Sequence, residues 1–158
     1  MKRANWRVYA WFILATEAVG ILSGLLSREG MMGYGETAIQ PAFAPPAWLF
    51  PVVWTILYAL MGIGAARVWL AEPSLERSRG LNLYVAQLIV NFFWSLIFFN
   101  LQAYGFALAW LILLWVLVAW MIWSFAKTDR LAAFLQIPYL IWLTLAAVLN
   151  GAVWILNR

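Results

Sequence analysis

The stretch YGFALAWLILLWVLVAWMIWSFA, residues 104–126, carries no charged side chain. A helix needs about 20 mostly apolar residues to cross the hydrocarbon core of a bilayer, and this stretch is long enough. It is too long for one strand and shows no alternation of apolar and polar residues. Lipid also requires every backbone polar group to find its hydrogen-bond partner within the chain, which a helix achieves by itself. The stretch therefore predicts a transmembrane α-helix.

Four further stretches are as long and nearly as apolar. In chain order, the five predicted spans cover residues 6–27, 48–70, 81–101, 104–126 and 131–156. The connection between the first two, residues 28–47, is long and rich in glycine and proline. A loop of this length in a compact domain is more often functional than a simple connector. We predict an all-α integral membrane protein, a single domain over residues 1–158 that forms a bundle of five transmembrane helices with a long loop between helices 1 and 2.

The composition supports a membrane protein and removes several functional classes. Of the 158 residues, 66% are hydrophobic and 10% are charged, whereas a soluble domain carries roughly 25% charged residues. The bases behind the net charge of +4 lie in the gaps between spans and close to the span ends, so we expect no nucleic-acid partner. Cysteine and histidine are absent, which removes disulfides, the usual zinc ligands and any Ser–His or Cys–His catalytic pair. We expect no required cofactor.

The distribution of basic residues predicts the orientation, because short cytoplasmic loops are enriched in Lys and Arg. The N-terminal segment, a polar turn expected at residues 72–79 and another at residues 127–130 share one side of the membrane. The bases on that side are Lys2, Arg3, Arg7, Arg67, Arg77, Arg79, Lys127 and Arg130, whereas the other side holds only Arg28 and Arg158. We expect a multi-pass protein of the cell membrane whose N-terminus is cytoplasmic and whose long loop and C-terminus are external.

Three of the spans carry polar and aromatic side chains at helical spacing. These stripes are Trp54 and Tyr58 on the second span, Gln87, Asn91, Trp94 and Phe98 on the third, and Tyr139, Trp142, Ala146 and Asn150 on the fifth. Polar groups at membrane depth are costly unless they face the bundle interior. The stripes could line a pocket for a flat, largely apolar ligand, with rings for stacking and amides for orientation. They could instead hydrogen-bond to one another and hold the helices together.

Three other features lie inside the spans. Glu17 is the only acid there, and we expect a neutral carboxyl group bonded to a tyrosine or amide of a neighbouring helix, the alternative being a proton or ligand contact. Pro138 is expected to kink the fifth helix. Gly20 and Gly24 form a G-x-x-x-G pattern, which indicates close packing against a second chain or within the same bundle.

A series of motifs runs through nearly the whole chain. In order they are PAFAPPAW at 41–48, VWTILYALMG at 53–62, QL at 87–88 with Asn91, WS at 94–95 and FF at 98–99, and PYL at 138–140 with Trp142, Ala146 and LN at 149–150. Together they resemble the TspO/MBR family, which includes the tryptophan-rich sensory proteins of bacteria and the mitochondrial translocator protein. Phe43 differs from the tryptophan that many members carry.

The resemblance implies a five-helix bundle that often forms homodimers and holds a pocket in its upper half, roofed by the first loop. The implied ligands are tetrapyrroles such as protoporphyrin IX and haem, sterols, and synthetic benzodiazepine-site compounds. By position, the resemblance assigns the pocket to Tyr34, Trp54, Tyr58, Asn91, Trp94, Phe98, Trp142, Ala146 and Asn150. Gln87 joins this set because its spacing places it on the same face of the third helix.

Three functions are compatible with these features. The first is a receptor or transporter-like protein that binds such ligands in an intramembrane pocket. The second is an enzyme that degrades porphyrins in light; without His or Cys, its chemistry would run through oxidisable rings such as Trp54, Tyr58, Trp94 and Trp142. The third is a structural membrane protein without a ligand of its own.

The orientation can be tested by labelling, because the chain has no native thiol. We expect a membrane-impermeant maleimide on intact cells to label Gly33→Cys in the long loop and to spare Ser78→Cys between the second and third spans. Permeabilised cells, in which both thiols should react, provide the control. Labelling of position 78 but not position 33 in intact cells would invert the topology.

Overall fold

The computed structural model describes residues 5–158, so Lys2 and Arg3 of the basic-residue count lie outside it. The helices are α1 (Asn5–Leu26), α2 (Arg28–Thr37), α3 (Leu49–Trp69), α4 (Leu75–Ser95) with a π-helical turn (Leu96–Asn100), α5 (Tyr104–Ala126), α6 (Arg130–Phe134) and α7 (Ile137–Leu156). The five predicted spans correspond to α1, α3, α4 with its π turn, α5, and α6 with α7, and each is long and apolar enough to cross a membrane. This part of the chain confirms the all-α bundle of five long helices.

The helices pack around a central apolar core. α1 lies against α3 and α4, α5 lies between α4 and α7, and α6 contacts α3 and α5. Met61, Val118, Met121 and Leu143 are fully buried in this core. The outer faces are also apolar, as with Trp11, which is 69% exposed. Such a surface is suited to lipid rather than to water.

α3 and α7 are not packed closely on each other. Aromatic side chains bridge the gap between them, with the rings of Phe50 and Trp142 5.6 Å apart and those of Trp54 and Tyr139 6.1 Å apart. The interior between α3, α4 and α7 is therefore filled by large rings rather than by helix backbone.

The prediction of a polar turn over residues 72–79 is wrong for most of that range, because α4 already begins at Leu75. The Ser74 hydroxyl accepts a 3.0 Å hydrogen bond from the Arg77 backbone N–H and so caps the helix. Glu76 lies in the first turn, where a carboxylate is favoured by the helix dipole. The helix thus extends two turns beyond the apolar segment that predicted it.

The long connection is also not a simple loop, since its first half forms α2. A Cβ atom on Gly30 would lie 2.6 Å from the carbonyl carbon of Phe99. Only glycine permits this approach, which places α2 directly against the π turn. The Asn100 side chain, in that turn, donates to the Leu26 carbonyl at 2.9 Å and satisfies the end of α1.

The fifth span is interrupted, as Pro138 predicted. α6 ends at Phe134, and α7 begins at Ile137 with the proline in its first turn, where its missing N–H has no intrahelical partner to lose. The Gln136 side chain donates to the Leu60 carbonyl of α3 at 3.1 Å. The break therefore separates a short helix packed on α3 from a long helix that carries the fifth stripe.

Opposite charges join the helix ends at one end of the bundle, which we term the basic end. Arg67 pairs with Asp129 at 3.0 Å, and Glu76 pairs with Arg79 at 3.0 Å and with Lys127 at 3.8 Å. Although burial opposes ionisation, the Ala132 backbone N–H and the Arg67 guanidinium hold the pKa of Asp129 below its usual value. The other end, where α2 lies, is termed the loop end.

Candidate functional site

A chain of hydrogen bonds joins three helices in the bundle interior. The Tyr58 hydroxyl on α3 donates to Asn91 Oδ1 on α4 at 3.0 Å. Asn91 Nδ2 donates to the Tyr139 hydroxyl on α7 at 2.6 Å, and that hydroxyl donates to Gln87 Oε1 at 2.7 Å. All four side chains are buried. The stripes of the second and fifth spans therefore meet at the two amides of the third span. We term Tyr58, Gln87, Asn91 and Tyr139 the central network.

Aromatic and sulfur groups surround the central network. The Trp54 ring stacks on Tyr58 at 5.4 Å and meets the edge of Tyr139 at 6.1 Å. Gln87 Nε2 points to the Met61 sulfur at 3.5 Å, which is a weak acceptor. The two amides thus lie among aromatic rings and a thioether, and both are buried within the bundle.

A second cluster lies toward the loop end. Trp94 Nε1 donates to Asn150 Oδ1 at 3.2 Å, and Asn150 Nδ2 donates to the Tyr104 carbonyl at 2.8 Å. The Trp94 ring stacks on Phe98 at 5.0 Å with an interplanar angle of 28°. Here α4, α5 and α7 are joined through one indole and one amide.

Tyr34 from α2 completes this second cluster, which we term the upper cluster. Its ring lies 5.4 Å from Phe98 and 5.3 Å from Phe99. Burial and then the neighbouring Tyr104 raise the pKa of Tyr34, so the phenol stays protonated at neutral pH. Tyr34, which was predicted to lie in the loop, therefore lies directly over the stripe of the third span, at the loop end of the bundle.

The remaining predicted residues, Trp142 and Ala146, lie one turn apart on α7, and Trp142 reaches into the gap between α3 and α7. Ala146 is half-buried against the core. Trp142 borders a lipid-facing groove of about 350 Å³. The groove is lined by Val53, Ile56, Leu57, Pro138, Ile141, Trp142 and Leu145. Of the ten predicted residues, eight thus belong to the central network with Trp54 or to the upper cluster, Trp142 lines the groove, and Ala146 packs against the core.

Some polar partners were not predicted from the sequence. No sequence pattern assigns a role to the Tyr104 carbonyl or to the Met61 sulfur. Tyr139 stands in the fifth stripe, three residues before Trp142, but its place between two amides depends on how α7 is rotated. Trp115 donates to Thr144 at 3.0 Å across α5 and α7, a pair that no spacing rule connects.

Asn157 fastens the long connection to the end of α7. The Ile39 backbone N–H donates to Asn157 Oδ1 at 2.8 Å, and Asn157 Nδ2 donates to the Ile39 carbonyl at 2.8 Å. Together with the contact of Gly30 on the π turn, this pair of bonds holds the connection over the upper cluster at two points.

Glu17 lies on the face of α1 that approaches the central network. It is three residues before Gly20, where an added Cβ would collide with the Tyr58 ring. Gly20 therefore packs within the bundle, whereas Gly24 faces open space. The hydrogen bond expected for Glu17 is not formed with any residue in the range 5–158. Within that range, no three acidic side chains lie close enough together to hold a metal ion.

The fold and this interior define a multi-pass helical membrane protein with a polar and aromatic core beneath a partly helical connection. Comparison with known proteins agrees. The sequence pattern of the TspO/MBR family matches residues 12–155, and the chain belongs to this family.

Relatives span bacteria, archaea and animals. The chain is 35% identical over 153 residues to the tryptophan-rich sensory protein of Cereibacter sphaeroides, covering 97% of this chain and 93% of that protein. It is 34% identical over 145 residues to the tryptophan-rich protein TspO of Archaeoglobus fulgidus, covering 92% and 94%. It is 37% identical over 139 residues to the translocator protein of Sus scrofa, covering 84% and 82%.

The central network predicts how substitutions of its members combine. Asn91→Leu leaves the buried Tyr58 hydroxyl without its acceptor, so we expect a loss of about 1–3 kcal/mol in the free energy of unfolding. Tyr58→Phe removes that hydroxyl, and the double variant should therefore lose less than the sum of the two, with a coupling of roughly 0.5–3 kcal/mol. Unfolding in mild detergent without ligand measures both quantities.

The control for this cycle is Thr55→Val, which removes a lipid-facing hydroxyl that bonds only within α3, to the Pro51 carbonyl. It should change the unfolding free energy by no more than about 0.5 kcal/mol. Strict additivity of Asn91→Leu and Tyr58→Phe would mean that the hydrogen bond between them does not contribute to stability.

Proposed function

We propose that this protein is a membrane receptor or transporter-like protein that binds flat, largely apolar ligands between α3, α4 and α7. The ligand class is tetrapyrroles such as protoporphyrin IX and haem, with sterols or benzodiazepine-site compounds as further ligands. One observation carries the proposal: the amides of Gln87 and Asn91 are buried among aromatic rings where α3 and α7 are not packed closely. Rings offer stacking area, and amides can fix a ligand's orientation.

The groove between α3 and α7 supports entry from the lipid. Its lining residues Val53, Leu57 and Pro138 are the chain neighbours of Trp54, Tyr58 and Tyr139, so the groove backs onto the central network. Its volume of about 350 Å³ lies at the lower end of the range for small-molecule sites, which is about 300–1,000 Å³. A tetrapyrrole would need Trp54 and Trp142 to rotate, which the loose packing between the two helices allows.

The hydrogen bonds of the central network also support a ligand that carries polar groups at its edge. Asn91 uses its oxygen on Tyr58 and its nitrogen on Tyr139. A carbonyl or carboxylate oxygen on a ligand can replace Tyr139 as the acceptor for Asn91 Nδ2, and a hydroxyl or protonated carboxyl group can replace Tyr58 as the donor to Asn91 Oδ1. Either exchange keeps the Asn91 amide paired at membrane depth. The two interpretations left open by the sequence are therefore compatible, because the same groups hold the helices together without ligand and receive the ligand when it binds.

The names of the relatives, a sensory protein and a translocator, fit a receptor or a transport role. We also propose that the chain lies in the cell membrane with the basic end cytoplasmic, from the distribution of Lys and Arg. A homodimer is proposed from the family resemblance. Gly24 and the outward face of α1, where Leu14 is 67% exposed, offer one surface on which two chains could approach closely.

The Ala146 position tests the pocket. Ala146→Thr adds bulk and a hydroxyl beside Trp142, so the affinity for protoporphyrin IX should fall about fivefold, equivalent to about 1 kcal/mol. Titration followed by tryptophan quenching and by porphyrin absorbance measures the change. Val148→Thr on the same helix is the matched control, because Val148 is 56% exposed on the lipid side. This variant should bind protoporphyrin IX with the affinity of the unmodified protein.

Both variants should first be shown to unfold at the temperature of the unmodified protein. If Ala146→Thr and the unmodified protein then give the same titration curves with protoporphyrin IX and with a benzodiazepine-site compound, the pocket does not lie beside Ala146.

A light-dependent porphyrin-degrading activity is a second candidate, favoured by the contiguous oxidisable rings of Trp54, Tyr58 and Tyr139. Under the first proposal, illumination of the protein with protoporphyrin IX in air yields no product beyond that of free porphyrin. A new product that forms with saturable kinetics, and is lost in Trp54→Phe, would establish the enzyme instead.

A further inference from the structure

A second groove opens at the basic end of the bundle, far from the central network. It lies between the start of α1 and the end of α3 and has a volume of about 320 Å³. Arg7, Val8, Trp11, Phe12 and Trp69 line it. Four of these five side chains are apolar or aromatic, and the fifth is a guanidinium group.

The charges around this groove are not balanced. In the described part of the chain, Asp129 is paired with Arg67, and Glu76 is paired with Arg79 and Lys127. Three bases at this end, Arg7, Arg77 and Arg130, form no salt bridge with residues 5–158, and neither does the acid Glu72 of the α3–α4 turn.

Two of those three bases adjoin the groove. Arg7 lines it directly. The Arg77 guanidinium carbon lies 4.9 Å from the centre of the Trp69 ring, and its Nη2 donates to the Trp69 carbonyl at 2.7 Å. The Trp69 ring therefore lies next to positive charge and contributes to the groove wall. An anion that entered the mouth of the groove would be attracted by both guanidinium groups.

The apolar walls favour a ligand with an acyl chain over a free anion. The rings of Phe12 and Trp69 lie 6.1 Å apart, and Trp11 and Trp69 are 69% and 49% exposed on the side that meets lipid. Tryptophan at a helix end is typical of the headgroup level of a bilayer. The groove thus runs from charged groups at the headgroup level toward the hydrocarbon, along α1.

We propose that this groove binds an anionic diacyl phospholipid, with its phosphate at Arg7 and Arg77 and one acyl chain against Val8, Trp11 and Phe12. Basic pockets between transmembrane helices are known to bind anionic headgroups. A zwitterionic lipid presents its own cation beside the phosphate and should bind more weakly. This site is separate from the proposed ligand pocket and does not depend on it.

The test uses the full-length protein in detergent micelles that contain equal amounts of phosphatidylglycerol and phosphatidylcholine with identical acyl chains. Native mass spectrometry measures the ratio of the two lipids that stay bound. The unmodified protein should retain phosphatidylglycerol preferentially. Arg7→Gln should lower the ratio of bound phosphatidylglycerol to bound phosphatidylcholine about fivefold. Arg7→Lys keeps the charge and should retain most of the preference for phosphatidylglycerol.

Arg130→Gln is the matched control, because Arg130 is a base of the same end without a salt bridge in the described chain and does not line the groove. Its lipid ratio should remain that of the unmodified protein. Val8→Trp fills the groove without changing the charge and should reduce the total amount of both lipids bound.

Three results would overturn the proposal. An equal loss of the preference for phosphatidylglycerol in Arg7→Gln and Arg130→Gln would show that the anionic lipid is attracted to the basic end as a whole and not to this groove. Displacement of phosphatidylglycerol by soluble glycerol phosphate would show a phosphate site that does not use the acyl chain. If Arg7→Gln does not fold, unchanged lipid binding in Val8→Trp alone contradicts the site.

Discussion

The interior of this bundle depends on the amide of Asn91, which bonds Tyr58 on α3 and Tyr139 on α7 from its position on α4. An amide in a membrane interior cannot exchange its partners for water, so it must be satisfied by protein or by ligand. The bond from Tyr139 to Gln87 extends the same requirement by one turn of α4. Because α3 and α7 are not packed closely, these polar groups and the rings around them determine the spacing between the two helices.

Under the proposed function, this constraint links stability to binding. In the proposed pocket, a ligand between α3 and α7 would have to supply the hydrogen bonds that it breaks. This requirement would favour molecules with a flat apolar body and a few polar groups at the edge. The upper cluster imposes a similar condition, since Trp94 and Asn150 satisfy each other beneath Tyr34. The connection above it is held by Asn157 and by the close approach at Gly30, so access from the loop end requires both contacts to open. Under the proposed function, the groove between α3 and α7 offers a path for the ligand that leaves both contacts intact.

Helical spacing predicted which side chains share a face, and most of these side chains come together in the central network and the upper cluster. It did not predict which of them bond, because the partners of Asn91 depend on the rotation and tilt of three helices. The sequence signal failed for α2, where three glycines in ten residues oppose a helix that is stabilised by its packing on the π turn. It also failed for the start of α4, because a search for apolar residues passes over the capping signal of Ser74 and Glu76. Pro138 predicted a disturbance of the fifth helix at the right place, but as a kink inside one helix; the structure ends α6 at Phe134 and places the proline in the first turn of α7.

A structure determined with protoporphyrin IX bound tests the central claim most directly. The account predicts the macrocycle between α3, α4 and α7, with Trp54 and Trp142 rotated from their present positions. It also predicts that Asn91 exchanges at least one tyrosine partner for a ligand atom. A macrocycle seated elsewhere on the bundle, with the bonds from Asn91 to Tyr58 and Tyr139 intact, would contradict the account and leave the central network with a purely structural role.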